Sequence, residues 1–216
     1  MTPLSRRAFV TAATASLLAG CAGRAPDRTA PAAHRRVASS PSTSASSSVS
    51  SSGSATPAAL GRSVPVRLRI PAIGVDTPLL RLGLAADGTV QVPPVTAHDR
   101  AGWYRHSPTP GQTGPSVILG HVTVGAYGDG VFRRLAGLRR GEQAVVRLEN
   151  GRSAVFTVDE VRTVAKAAFP TEDVYGDVDR PELRLITCGG PRGGDGYLDN
   201  VIVFATLTGT TTGTKP

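Results

Sequence analysis

The sequence predicts an all-β domain, a closed barrel or sandwich of short strands with only short helices. Three observations predict it. Apolar residues recur at period two in a series of short runs, the pattern of half-buried strands. Glycine and proline are dense, 25 and 17 of 216 residues, and they punctuate those runs. Asn150-Gly151, a strong hairpin turn signal, stands between two of the runs.

The runs come in the following order. Strands are expected at 64–70, 89–92, 116–122, 143–149, 153–164, 182–188 and 200–206. The two short helical candidates are 131–138 and 171–175. Seven or more short strands at this spacing fit a barrel or sandwich, and no internal repeat is visible. The folded domain is placed at 63–207. Residues 208–216 are rich in Thr and Gly and are expected to form a short disordered tail.

Residues 1–62 have a different character. Arg6-Arg7 precedes an uncharged, mostly apolar stretch of 13 residues, Ala8 to Gly20. A membrane span needs about 20 such residues, so this length fits a signal peptide better than a spanning helix. Ser5-Arg6-Arg7-Ala8-Phe9-Val10 resembles a twin-arginine export signal, and Leu18-Ala19-Gly20-Cys21 resembles a bacterial lipobox. Residues 1–21 are therefore read as an export signal in which Cys21 is acylated. Plain cleaved secretion and an uncleaved anchor are the other readings. Residues 22–62 are rich in Ala, Ser, Pro and Arg. They cannot bury enough apolar surface to offset chain entropy, so a disordered tether is expected, with a typical span of about 35 Å.

The charge follows the same division. The chain carries 24 Lys and Arg against 16 Asp and Glu, a net charge of +8. Seven of the arginines and one acid, Asp27, lie in 1–62, which leaves the remainder at only +2. The excess suits export and an anionic membrane surface rather than a nucleic-acid groove, and no nucleic-acid-binding motif is present. Metal binding is not indicated. No Cys/His cluster has ligand spacing, and Asp129 stands alone between glycines. No cofactor is expected.

There are two cysteines, Cys21 and Cys188. With Cys21 in the leader, the folded part holds one thiol, which is either inert and buried or kept for its reactivity. On the 182–188 strand, Leu183, Leu185 and Thr187 share one face, and Glu182, Arg184, Ile186 and Cys188 share the other. The first is the better core face, so Cys188 is expected on the more polar side, at the strand's C-terminal end. Gly189-Gly190 follow and suit close approach or an oxyanion site of backbone N–H groups. A thiol needs a basic neighbour, and the histidines are His34, His98, His106 and His121. His34 lies in the tether, and His98 and His106 lie in a polar loop. His121 follows the apolar run Val117-Ile118-Leu119-Gly120; on pattern alone it fits a structural histidine as well as a catalytic one.

Leu119-Gly120-His121-Val122, Leu185-Ile186-Thr187-Cys188 and the closing run Asn200-Val201-Ile202-Val203-Phe204-Ala205 together resemble a bacterial sortase. Ile70-Pro71-Ala72-Ile73-Gly74-Val75-Asp76, Ala101-Gly102-Trp103-Tyr104 and Arg180-Pro181-Glu182-Leu183-Arg184 resemble the actinobacterial class F, close to class E. The resemblance spans about 64–206. It implies an eight-stranded closed β-barrel and a cysteine transpeptidase. Cys188 would attack the Thr–Gly carbonyl of an L-P-x-T-G-like sorting signal and form a thioacyl intermediate. His121 would protonate the leaving amine and deprotonate the incoming one. Implied partners are sorting-signal-bearing surface proteins and a peptidoglycan-precursor or protein amine, with the enzyme a monomer on the extracytoplasmic membrane face. Many sortases place an arginine at the start of the last strand. Here that position falls on Asn200, with Arg192 and Arg184 as cationic substitutes. A different wall-acting cysteine enzyme of the L,D-transpeptidase type fits poorly, because Thr187 and Gly189 flank the thiol. A non-catalytic wall-binding lipoprotein on the same barrel is the remaining alternative.

Overall fold

A computed structural model describes residues 57–194 and 196–213. The export signal, Cys21 and nearly all of the tether lie outside the described residues. The strands in chain order are β1 (Pro65–Ile70), β2 (Val75–Leu82), β3 (Ala101–Tyr104), β4 (Gly114–Leu119), β5 (Thr123–Val124), β6 (Gly128–Asp129), β7 (Gln143–Leu148), β8 (Arg152–Ala165), β9 (Pro181–Gly193) and β10 (Gly196–Thr212). The single α-helix among the described residues is α1 (Thr171–Tyr175), accompanied by short 3-10 turns. Eight strands close a barrel in the order β1-β2-β3-β4-β9-β10-β8-β7, while β5 and β6 form a separate two-stranded ribbon. Most neighbours are antiparallel, but β2–β3 and β4–β9 are parallel.

The barrel interior is the main core. Leu68, Ile70, Trp103, Ile118, Phe156, Leu183, Leu185 and Val203 are all buried in one cluster. Only one aromatic residue per several strands is needed, because β-branched and leucine side chains fill a small barrel well. Asn150-Gly151 makes the β7–β8 hairpin turn as expected, with Gly151 at φ +81°. A second, smaller cluster lies outside the barrel on β4, β9 and β10: Val117, Ile186, Ile202 and Phe204, capped by Val174 of α1.

Several expectations are corrected. The strand expected at 116–122 stops at Leu119, so His121 sits in the connection beyond it. The 89–92 run contributes only one bridge, Val90 to Leu84. Within 131–138, only Leu135–Gly137 forms a 3-10 turn. The tail expected from residue 208 is instead the end of β10, which pairs through Thr212 with Arg152 of β8; the backbone hydrogen bonds of β8 order a Thr-rich segment that composition marks as loose. The domain also starts earlier than residue 63. Leu60 is buried in the core and its N–H donates to the Gly111 carbonyl at 2.7 Å.

Candidate active site

β9 delivers Cys188 near its C-terminal half, and the thiol is free and half-buried. Parallel β4 runs beside it, with Leu119 opposite Ile186. Beyond Leu119, hydrogen bonds hold Gly120 against Ile186 and Thr187, so His121 leaves β4 near the Cys188 part of β9. The alignment is tied at three points. Gly120 N–H donates to the Ile186 carbonyl at 3.1 Å, and the buried Thr187 hydroxyl donates to the Gly120 carbonyl at 2.7 Å. The His121 carbonyl accepts from Phe132 N–H at 2.9 Å. Gly130 packs so tightly on His121 that a Cβ there would strike the His121 carbonyl, which fixes the loop from the other side.

The His121 ring has one hydrogen-bond partner. Its Nε2 lies 2.6 Å from the Pro93 carbonyl. A carbonyl only accepts, so Nε2 carries the proton and Nδ1 is left as the nitrogen free to take or give one. The backbone thus holds the ring's orientation and tautomer, the task that a carboxylate performs in other catalytic groupings. No hydrogen bond joins His121 to Cys188 among the described residues.

On the other side of Cys188, antiparallel β10 sets Asn200 directly opposite. Cross-strand partners project to the same face, so Cys188 and Asn200 are neighbours on the outside of the barrel. The two arginine candidates are committed elsewhere. Arg184 is buried, 3 % exposed, where it pairs with Glu182 at 2.5 Å and donates to the Asp173 carbonyl of α1 at 3.1 Å. Its guanidinium lies 4.6 Å from the Phe204 ring centroid, and that of Arg162 lies 4.4 Å from it. Arg162 in turn bridges Glu160 and Asp173, whose carboxylates hold it firmly protonated. Arg184 therefore anchors α1 rather than serving the thiol.

Arg192 lies on the rim. It donates to the Thr123 hydroxyl and to the Tyr197 hydroxyl, the latter at 3.0 Å, and stacks 4.7 Å from the Tyr197 ring centroid. The Thr123–Tyr197 contact is 2.9 Å. The Thr123 hydrogen bond, helped by Arg192, holds the Tyr197 phenol below its ordinary range. This trio ties the ribbon after His121 to the hairpin after Cys188. Sequence reading missed Thr123, Tyr197 and the Pro93 carbonyl. Pairing of Arg192 with Tyr197 across a glycine-rich hairpin was the one available signal for them.

The expectation of a polar outer face on β9 is also corrected. Glu182, Arg184 and Ile186 are all buried, because α1 and the β8–β9 connection cover them. Only Cys188, at the end of the row, remains partly open. Gly190 answers to packing rather than to an open acyl site: at φ +71°, a Cβ would collide with the Asp199 carboxylate. Among the described residues, no three His, Cys, Asp or Glu side chains converge in a metal-binding arrangement.

The arrangement is a half-open thiol on β9 and, just past the end of the parallel strand β4, an imidazole held in one tautomer by a backbone carbonyl, in a closed eight-stranded barrel. Residues 68–208 match the family model of the sortase domain. The chain belongs to the sortase family. Solved sortases share its fold. The sortase A of Listeria monocytogenes superposes with a TM-score of 0.54 at 16 % identity, over 71 % of this chain and 93 % of that one. The SrtA sortase of Actinomyces oris gives 0.52 at 24 % identity, over 72 % and 87 %. A lid mutant of Corynebacterium diphtheriae sortase A gives 0.51 at 20 % identity, over 68 % and 72 %. No curated protein matches the chain by sequence. This sortase is thus an enzyme of the cysteine transpeptidase type, a family that acts on sorting-signal-bearing proteins and amine acceptors.

Proposed function

We propose that this sortase cleaves an L-P-x-T-G-like sorting signal through a thioacyl intermediate on Cys188 and transfers the acyl group to a cell-wall or protein amine. The observation that carries this reading is the pairing of Cys188 with Asn200 across β9 and β10, with His121 one residue beyond the Gly120 that is hydrogen-bonded to Ile186 and Thr187. His121 takes the Cys188 thiol proton on Nδ1, and the thiolate adds to the Thr carbonyl carbon. The resulting tetrahedral species collapses with loss of the Gly amine, to which Nδ1 passes that proton. An incoming amine then attacks the thioester, His121 takes its proton, and Cys188 leaves as thiolate. Asn200 donates a side-chain N–H to the developing oxyanion or to the peptide backbone, in place of the arginine many sortases carry there.

Next to Cys188, on the outer face of the barrel, Ile186 and Ile202 pack with Leu119, Phe169, Val174 and Tyr175 in an apolar cluster that seats α1. The class F-like motifs at 70–76, 101–104 and 180–184 support placement in that class. The lipobox-like Leu18-Ala19-Gly20-Cys21 supports attachment to the outer membrane face through a lipid on Cys21, and Cys21→Ser would release the protein from membranes. No described helix is long and apolar enough to cross a membrane. The test of the reaction is mass-spectrometric analysis of a sorting-signal peptide incubated with enzyme and an amine acceptor. Cleavage at Thr–Gly with the amine joined to Thr is expected. Absence of both cleavage and joined product across signal variants would refute it.

A further inference from the structure

The outer face of the barrel at β1 and β7 carries a cluster of arginines that the proposed reaction does not use. Arg67 and Arg69 alternate with the buried Leu68 and Ile70, so both stand on the solvent side of β1. In the β1–β7 register Arg67 lies directly opposite Arg147. Like charges facing each other across two strands cost stability, so the pair calls for a counter-charge. The protein supplies one on the β2 side, away from Arg147: Asp76 binds Arg67 at 2.6 Å and stands 3.8 Å from Arg69. Glu149, two residues beyond Arg147, is taken by Arg81 at 2.9 Å. Arg147 is exposed and has no ion pair among the described residues. Arg67, Arg69, Asp76, Arg147, Ser153 and Thr211 line an open cavity of about 340 Å³. Three guanidiniums against one carboxylate leave it with a surplus of positive charge, and two hydroxyls beside them can donate hydrogen bonds.

Strand directions place this cluster relative to the chemistry. β4 and β9 start together, where Gly114 N–H donates to the Arg180 carbonyl at 3.0 Å, and run from there toward His121 and Cys188. The chain enters the barrel at that starting end. Leu60 N–H donates to the Gly111 carbonyl, and Ser63 bonds both to Thr109, before β4, and to Asn150, in the β7–β8 turn. Pro65 pairs with Leu148 at the same end, and Arg67, Arg147 and Ser153 follow within a few residues. We propose that this arginine face docks the barrel on the anionic phospholipid headgroups of the membrane, with their phosphates seated among Arg67, Arg69 and Arg147 and the Cys188 end clear of the bilayer. Guanidiniums suit phosphate through paired N–H donors, and an anionic leaflet attracts such a cluster. The inference rests on the lipid-anchor reading of Cys21 for proximity alone: a tether of about 35 Å typical span keeps the barrel at high local concentration, so weak contacts suffice.

The experiment is co-sedimentation of the chain as it stands after signal cleavage, residues 21–216 with Cys21→Ser, with phosphatidylglycerol or phosphatidylcholine vesicles. Binding is expected to phosphatidylglycerol alone and to weaken as salt rises. Arg69→Gln combined with Arg147→Gln is expected to weaken it at least about tenfold. Arg139→Gln combined with Arg140→Gln removes the same charge from the turn before β7, toward the other end of the barrel, and is expected to weaken it less than about twofold. The tether arginines are the same in every chain. Equal losses in the two double variants, or equal binding to both kinds of vesicle, would refute the docking face. Binding to a soluble glycerol-phosphate polymer without binding to vesicles would overturn the membrane as partner and assign the arginines to a wall polymer. The lipid anchor is tested separately, by release of Cys21→Ser from cell membranes, and its failure would leave the vesicle result standing.

Discussion

On the inner face of β9, Leu183, Leu185 and Thr187 are buried; on its outer face, Glu182, Arg184 and Ile186 lie under α1 and the β8–β9 connection, and Cys188 follows them. The inner face is closed by apolar packing, with the Thr187 hydroxyl bonded to the Gly120 carbonyl. The outer face is closed by a mixed device, in which Glu182 and Arg184 pair with each other, Arg184 grips α1, and Phe204 lies against two guanidiniums. Cover ends before Cys188, which leaves the thiol half-open beside His121 and Asn200. The difference teaches that one strand of period two can divide its work: one side stabilises the barrel, and the other seats α1 and leaves Cys188 uncovered beyond it.

Four substitutions sharpen or break that division. The largest effect is expected from His121→Ala, which should lower kcat by about 100- to 10,000-fold while the thermal midpoint stays near that of the wild type. Near-wild-type turnover would remove His121 from the acid–base role. Next is Leu185→Ala on the inner face, which should cost about 2–5 kcal/mol in urea unfolding, whereas Cys188→Ala should cost less than about 0.5 kcal/mol. Equal costs would erase the contrast between the faces. Asn200→Ala should lower kcat about tenfold, the scale of one hydrogen bond to the reacting group. An unchanged kcat would reduce Asn200 to a pairing residue within β10.

The smallest effect concerns the outer device. The hydrogen bond from Arg162 holds the Glu160 carboxyl below its ordinary range. Its folded value is thus lower than its unfolded one, so its contribution is present above the unfolded value and is lost as pH falls through the folded one. The thermal-midpoint gap between wild type and Glu160→Gln should be small at neutral pH and close on acidification. A gap that widens toward acid pH would contradict this sign.

Much of the fold was legible because it is written in local pattern. The alternation in 182–188 and 143–149, the Asn150-Gly151 turn and the bounds of α1 all need only near neighbours. β2 was missed because Pro78 and the adjacent Leu79-Leu80 interrupt the alternation, and β3 because it has only four residues. β3 is held by pairing to β2 and β4, and Gly102 packs against Leu82. Residues 208–212 read as loose, yet β8 orders them, and no local signal records that partner. At the site, the place of His121 just after β4 was legible, as was Cys188 on the outer face of β9; β9 runs on to Gly193, so Cys188 does not end its strand as expected. That the outer face is buried, that Arg184 belongs to α1 and that Pro93 holds the His121 ring depend on contacts far apart in sequence, as does the pairing of Cys188 with Asn200.

The most direct test of the divided strand is the intact mass of the folded enzyme after mixing with a sorting-signal peptide. The account predicts an acyl adduct on wild type that hydroxylamine removes and that Cys188→Ala does not form. An adduct that survives hydroxylamine or persists in Cys188→Ala, or no adduct with any signal peptide, would contradict it.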